Sequence, residues 1–299
     1  MEERRFGRFG RRLIVSGTVA TLLLGMLAVT APVAAKQFAA WGAPSQAGLA
    51  NVNTTALEGC SMQSPEGLSL YFASDRAGGQ GGTDIWVAHR ASTSADWGTP
   101  ENLPDPINSA TGEVCPTPVR GNGLFFASTR SGGCGDFDIY FARLNPHHGW
   151  TTPVNLGCQV NSVGPEAGPS YFEAGGHAFL YFSSGPEIMA SQQSPNGSWG
   201  PAAAVSELNS AVNDFRPNVR KDGLEMVFDS NRSGGSGGQD LWTATRERVS
   251  DPWSTPTNLT DLNTGDSEVR ASFSWDATTL YFGRTGGQGG SMDLWFTTR

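Results

Sequence analysis

The sequence predicts an all-β fold: a single five-bladed β-propeller whose last blade is closed by the N-terminal strand. Three observations carry this. A Trp-x-x-Pro pattern, followed about ten residues later by an aliphatic residue, Asn and Ser or Thr, starts at Trp41, Trp97, Trp150, Trp199 (shortened to Trp-Gly-Pro) and Trp253, with matching Asn53, Asn108, Asn161, Asn209 and Asn263. The Trp spacings are 56, 53, 49 and 54, and a steady period of this size marks a repeat architecture. Two strand-like runs each recur five times, and the partial repeats at the two ends add up to one blade.

Ahead of the repeats, Arg4, Arg5, Arg8, Arg11 and Arg12 form a basic start, Leu13 to Val29 is largely apolar, and Val33-Ala34-Ala35 offers a small-residue cleavage site. That is the layout of a secretory signal peptide over residues 1–35, leaving residues 36–299 as the propeller. The competing reading is an uncleaved anchor, for which the apolar run falls slightly short of the ~20 residues a span needs. The expectation is export to the periplasm or outside the cell, with no membrane span after cleavage. Removal of residues 1–35 leaves 15 basic against 26 acidic residues, a net charge of −11. Such acidity speaks against nucleic acid or an anionic membrane as partner.

Residues 113–162 show one blade most clearly. Cys115 to Val119 is a short extended run, Gly121-Asn122-Gly123 a tight turn, and Leu124 to Ser128 a buried strand. Gly132 to Gly135 is a loop, Asp138 to Ala142 a third strand, and Trp150 to Leu156 a fourth. Four short antiparallel strands make one propeller blade. The second strand returns as Leu70-Tyr71-Phe72, Leu124-Phe125-Phe126, Leu180-Tyr181-Phe182, Met226-Val227-Phe228 and Leu280-Tyr281-Phe282; the third returns at Asp84, Asp138, Glu187, Asp240 and Asp293. A lone fourth strand at Trp41 and a third strand ending at Arg299 complement each other, so strand Trp41–Gln46 is expected to pair with Asp293–Thr298.

The segment Ser74-Asp75-Arg76-x-Gly78-Gly79-x-Gly81-Gly82-x-Asp84-Ile85-Trp86, echoed from Ser230 to Trp242, resembles the TolB-type, WD-repeat-like propeller repeat of bacterial exported proteins. The resemblance covers about 36–299 and implies a periplasmic scaffold or interaction role.

Acidic residues recur where each innermost strand starts: Glu58, Glu113, Glu166, Asp214 and Glu268, with Arg216 and Arg270 beside two of them. These seven are the candidate ligand site at the channel mouth. A structural reading competes: the column Arg76, Arg130, Arg232 and Arg284 supplies a partner for each acid but Glu166. No cofactor is called for; calcium is the one cation left open. Gly78 to Asp84 nears a calcium nonapeptide but carries an extra Gly, and Gly234 to Gly238 matches G-x-S-x-G without the strand-to-helix context a nucleophile elbow needs. His89, His147, His148 and His177 show no ligand spacing, and the Trp column reads as packing. In the third repeat Ser183-Ser184-Gly185-Pro186-Glu187 replaces the Gly-rich loop and its Arg, which would notch the acid-bearing face.

The blade arrangement selects one pairing of the four cysteines. Cys60 and Cys115 stand two residues after Glu58 and Glu113 on adjacent innermost strands; Cys134 and Cys158 follow the second and fourth strands of one blade and emerge on one face. The expectations are Cys60–Cys115 and Cys134–Cys158. For function, the main expectation is a monomeric, exported, non-catalytic interaction protein that presents loops to a protein or glycan partner in the cell envelope. The alternative is a five-bladed glycoside hydrolase or lyase with carboxylates at the channel mouth.

Overall fold

Alternating apolar runs and tight turns give the described residues twenty short strands and almost no helix. A computed structural model describes residues 38–299; the expected signal peptide lies outside the described residues. Blade one is β1 (Glu58–Gln63), β2 (Ser69–Ser74), β3 (Asp84–His89) and β4 (Glu101–Asn102). Blade two is β5 (Glu113–Val119), β6 (Gly123–Ser128), β7 (Asp138–Asn145), β8 (Gly149–Trp150) and β9 (Val154–Asn155). Blade three is β10 (Glu166–Ala174), β11 (His177–Ser184), β12 (Glu187–Gln192) and β13 (Ala203–Ala204). Blade four is β14 (Asp214–Val219), β15 (Glu225–Ser230), β16 (Asp240–Thr245) and β17 (Thr257–Asn258). Blade five is β18 (Glu268–Phe273), β19 (Thr279–Thr285) and β20 (Met292–Thr298). Every sheet is antiparallel and follows sequence order, except that β9 pairs with β7 in blade two, so the five-bladed all-β propeller stands as expected.

The fourth strands are short because of the Pro in the repeat. Pro100, Pro153 and Pro256 immediately precede β4, β9 and β17. Proline has no N–H to give a ladder and sits at strand starts and edges. The continuous fourth strand expected from Trp150 to Leu156 is therefore split by Pro153 into β8 and β9.

Blade five takes its outer strand from the other end of the chain. Gly42 N donates to Thr298 O at 2.9 Å, and Ser45 and Phe296 exchange backbone bonds at 2.8 and 2.9 Å. Trp41 stacks on Phe273, with the Arg299 guanidinium 4.1 Å above its ring. The core lies between blades: Leu70, Phe72 and Trp86 of blade one pack against Tyr281 and Leu294 of blade five, and the other four seams repeat the arrangement. Apolar second and third strands covered on both faces are the reason these runs carry no alternation.

Candidate functional site

The repeated Asn, Ser/Thr and acid form one local device. Asn108 Oδ1 accepts from Ile85 N at 2.8 Å and its Nδ2 donates to Ile85 O at 2.9 Å, holding the start of the third strand as a neighbouring strand would. Asn161, Asn209 and Asn263 do the same to Ile139, Ile188 and Leu241. Asn53 clamps Leu294 across the closure at 2.9 and 3.0 Å. The next residue then caps the acid four positions on. Ser109 gives its N–H and Oγ–H to Glu113 at 2.9 and 2.7 Å, and Thr54, Ser162, Ser210 and Thr264 serve Glu58, Glu166, Asp214 and Glu268.

This geometry corrects the picture of a ligand-facing acidic ring. All five acids are 0 % exposed. Arg76 reaches Glu58 at 2.8 Å, Arg130 reaches Glu113 at 3.2 Å, Arg284 reaches Glu268 at 2.7 Å, and Arg232 pairs with Asp214. Glu166 has no Arg in its column and keeps, beyond its Ser162 cap, the second-strand serine, Ser184, whose Oγ donates to it at 2.7 Å as Ser128 does to Glu113. Burial raises the Glu58 carboxyl and lowers the Arg76 guanidinium, the desolvation cost expected of an inward-facing pair. Each of these carboxylates is fully buried and accepts at least three bonds from nearby chain, so none faces the solvent to meet a substrate.

Two residues after each acid the innermost strand bulges. Cys60, Cys115, Gly168, Arg216 and Arg270 all have positive φ, between 48° and 62°, and each sheet shifts register there. Bulges re-aim side chains, and these five residues line the central channel. Cys60 and Cys115 are joined there, and Cys134 to Cys158 on the rim, as expected. Arg216 reaches Asp229 through Nε at 3.1 Å and Gln239 at 2.9 Å, while the Arg270 amide donates to Asp229 at 2.9 Å. Burial and the nearby Arg216 pull Arg270 down to about 10. The channel cavity is about 30 Å³, far too small for a sugar ring.

Larger spaces lie at the opposite ends of the strands. A cleft of about 460 Å³ between blades five and one is lined by the carboxylates Glu66, Asp96 and Asp276, with Trp275, Arg90 and Gln63. Glu66 and Asp96 are exposed; Asp276 Oδ1 accepts from Ser274 Oγ and Thr278 Oγ1 at 2.6 and 2.8 Å. Gln63 donates to Tyr281 Oη at 2.8 Å, which fixes the cleft floor.

A second groove, about 720 Å³, follows the seam between blades two and three. Phe125 stacks on Tyr171 at 5.3 Å, and Trp199 meets both edge-on at 6.1 and 6.4 Å. Tyr171 Oη donates to Glu173, the one acid among the lining residues; burial raises the phenol further. A depression of about 420 Å³ continues past Glu173 along Gly175 to Ala178. The groove exists because β10 and β11 run to nine and eight residues, beyond the six of β1 and β2, and raise a wall. The third repeat is thus the irregular one, and at the acid-bearing end its Gly-rich loop is absent: β11 and β12 close through a tight turn at Gly185-Pro186.

Among the described residues no cluster of three or more His, Cys, Asp or Glu side chains is arranged to hold a metal ion. Among them, too, no helix is long and apolar enough to cross a membrane.

Neither a protein-family profile nor a curated protein matches the sequence. Solved structures do match in fold. A thermostable family-43 glycoside hydrolase is 13% identical with a TM-score of 0.56 over 81% of this chain and 88% of its own. The α-L-arabinofuranosidase PaAbf62A of Podospora anserina, solved in complex with cellotriose, is 13% identical with a TM-score of 0.52 over 81% and 90%. A putative TolB from Agrobacterium tumefaciens is 14% identical over 82% of each chain, at a TM-score of 0.48 too low to build on. At these identities the likeness is one of fold. It counts against the expected non-catalytic interaction module and favours the alternative reading: the two of these neighbours with TM-scores above 0.5 are both glycoside hydrolases.

Proposed function

We propose that this chain is an exported, glycan-active propeller, a five-bladed glycoside hydrolase or lyase. The observation that carries the reading is the 460 Å³ cleft, where three carboxylates, Glu66, Asp96 and Asp276, share one concave space with the indole of Trp275. Glycosidic bond cleavage in most hydrolases uses two carboxyl groups flanking the bond, one as acid and one as base or nucleophile. An indole face supplies the flat apolar surface against which a pyranose ring packs. The fold supports the reading, being one that glycoside hydrolases use. In this assignment all three carboxylates are solvent-exposed, and Asp276 is the one oriented by hydrogen bonds from Ser274 and Thr278. The two disulfides support export to an oxidising compartment, and the TolB-type repeat is then a matter of blade construction rather than activity.

The test is a turnover screen of residues 36–299 on neutral and acidic polysaccharides, reading reducing ends for hydrolysis and ultraviolet-absorbing unsaturated ends for elimination. Glu66→Gln, Asp96→Asn and Asp276→Asn are compared on any substrate found. Turnover that survives all three substitutions removes the cleft assignment, and turnover on no glycan removes the reading.

A further inference from the structure

The groove between blades two and three differs in charge from the cleft. The cleft holds three acids; the groove holds Arg120 and Arg143 against the single Glu173. Neither arginine has a carboxylate partner among the described residues. Both are exposed, yet both are held in place. Arg143 Nη1 donates to Gly121 O at 2.7 Å and its guanidinium lies 5.4 Å over Phe141. The Arg120 guanidinium lies 5.3 Å over Trp275. Lys221 comes to the same indole at 4.8 Å and donates to Tyr171 O at 2.6 Å. Arg120 and Lys221 therefore meet at the ring of Trp275, and Arg143 stands over Phe141 along the same groove.

Arg120 and Glu173 stand toward opposite ends of the groove. Arg120 also borders a smaller depression of about 270 Å³ toward blade one, while Glu173 borders the one on the far side. Arg143 lies close enough to the Tyr171 phenol to act on its ionisation. In a chain whose formal net charge is −8, two arginines without an ion-pair partner among the described residues, beside an aromatic floor of Phe125, Tyr171 and Trp199, have a specific ligand chemistry. The aromatic surface suits a sugar ring. A planar guanidinium fork suits a carboxylate or sulfate.

We propose that this groove is a binding site for an acidic saccharide, with the sugar ring against Tyr171 and Trp199 and its anionic group between Arg120 and Arg143. The groove lies on a different seam from the cleft between blades five and one, and its single acid, Glu173, leaves it without the pair of carboxyl groups that cleavage needs, so it binds the polymer without cleaving it. Lys221 strengthens the inner end: burial pulls its amine down to about 7, and an anion arriving nearby favours the protonated form.

The experiment is calorimetric titration of residues 36–299 with polygalacturonate, heparin, linear arabinan and xylan. Polygalacturonate presents carboxylates alone, heparin sulfates as well, and the last two are neutral. The expected result is binding of one or both acidic polymers, weakening as salt rises, with the neutral ones at least about tenfold weaker. The Arg120→Ala/Arg143→Ala double variant should lose about tenfold or more toward the acidic polymer. Trp199→Ala should weaken binding without altering its salt dependence. A circular-dichroism melt confirms that each variant is folded. Equal binding of neutral and acidic polymers overturns the proposal, as does a double variant that binds like the parent, or binding of no polymer. Turnover that depends on Glu66 and Asp96 would survive any of those outcomes, so the two readings fail separately.

Discussion

Replacing Glu113 and Glu166 one at a time by Gln compares two nearly identical buried sites that differ by one cation. Both carboxylates are 0 % exposed, and both accept an amide and a hydroxyl from a Ser four residues back. Both also accept a second-strand Ser at 2.7 Å. Only Glu113 faces an arginine, Arg130, whose side chain is 17% exposed. A Gln amide keeps one acceptor oxygen but turns its NH₂ toward groups that are themselves donors. That loss applies to both sites and costs ~1–2 kcal/mol for an unsatisfied buried polar group. At Glu113 the substitution also strands Arg130, and breaking a buried pair from one side costs ~3–5 kcal/mol. At roughly 2–4 °C per kcal/mol for a domain of this size, the two costs together should lower the melting temperature of Glu113→Gln by about 15 °C. Glu166→Gln should lower it by about 4 °C. Differential scanning calorimetry reads both, and glycan titration runs alongside. The double variant Glu113→Gln/Arg130→Met should regain part of the loss, because the stranded charge is gone. Equal melting shifts at the two sites would refute the assignment of Arg130 as the difference. Unchanged melting with lost ligand binding would show that these acids serve a ligand rather than the blades.

Three further outcomes follow from the same structure. Deleting residues 38–46 removes three backbone bonds to Thr298 and Phe296, which at ~1 kcal/mol each costs at least about 3 kcal/mol; a truncated domain that melts like the parent would contradict the closure. Substituting Cys60 and Cys115 together by Ala opens a link between residues 55 apart, against 24 for Cys134 and Cys158; the chain-entropy relation gives ~4 and ~3.5 kcal/mol, so the first pair should matter slightly more in chemical denaturation. Lys221 is held at about 7 when folded against an ordinary 10.5, so the unfolded chain binds its proton more readily in that window and stability should rise with pH from about 7 toward 10. Lys221→Met removes the burden: its melting gain should be largest at or below pH 7 and fade by pH 10, and a gain independent of pH would show that burial of the charge is not its source.

The parts of the molecule repeated five times could be read from the sequence, because each repeat states the same physical demand again. Asn108 and Asn161 recur because each replaces a missing strand partner, and Glu113 and Glu268 recur because each ties the chain ahead of an innermost strand to its second strand. Reading the acids as a mouth failed because periodicity gives the position of Glu58 along a strand but not the direction of its carboxylate. The bulge at Cys60, Arg216 and Arg270 sets which side chain meets the channel, and only Gly168 among the five bulge residues hinted at positive φ. The groove escaped notice for another reason. It is assembled from unlike columns of two blades: Phe125 from a second strand, Tyr171 from an innermost strand, Trp199 from the shortened repeat. A signal was present, however. The innermost acid and the second-strand Phe are 16 residues apart between Glu166 and Phe182, against 14 between Glu58 and Phe72. Those two extra residues are the lengthened hairpin that walls the groove.

The latch between Ser45 and Phe296 also changes what counts as a beginning. Residues 42 and 298 are hydrogen-bonded neighbours, so a short linker could join the two ends without crossing the molecule. New ends could then be opened in the exposed turn Pro146–His148, and the circularly permuted chain would hold blade five together covalently. The latch would become an ordinary hairpin, and the seam that has to be found last in the native order would be given at the start. Any passenger attached near residue 42 or residue 299 leaves from the same edge of the ring, on the side away from blades two and three, and so leaves the aromatic groove clear.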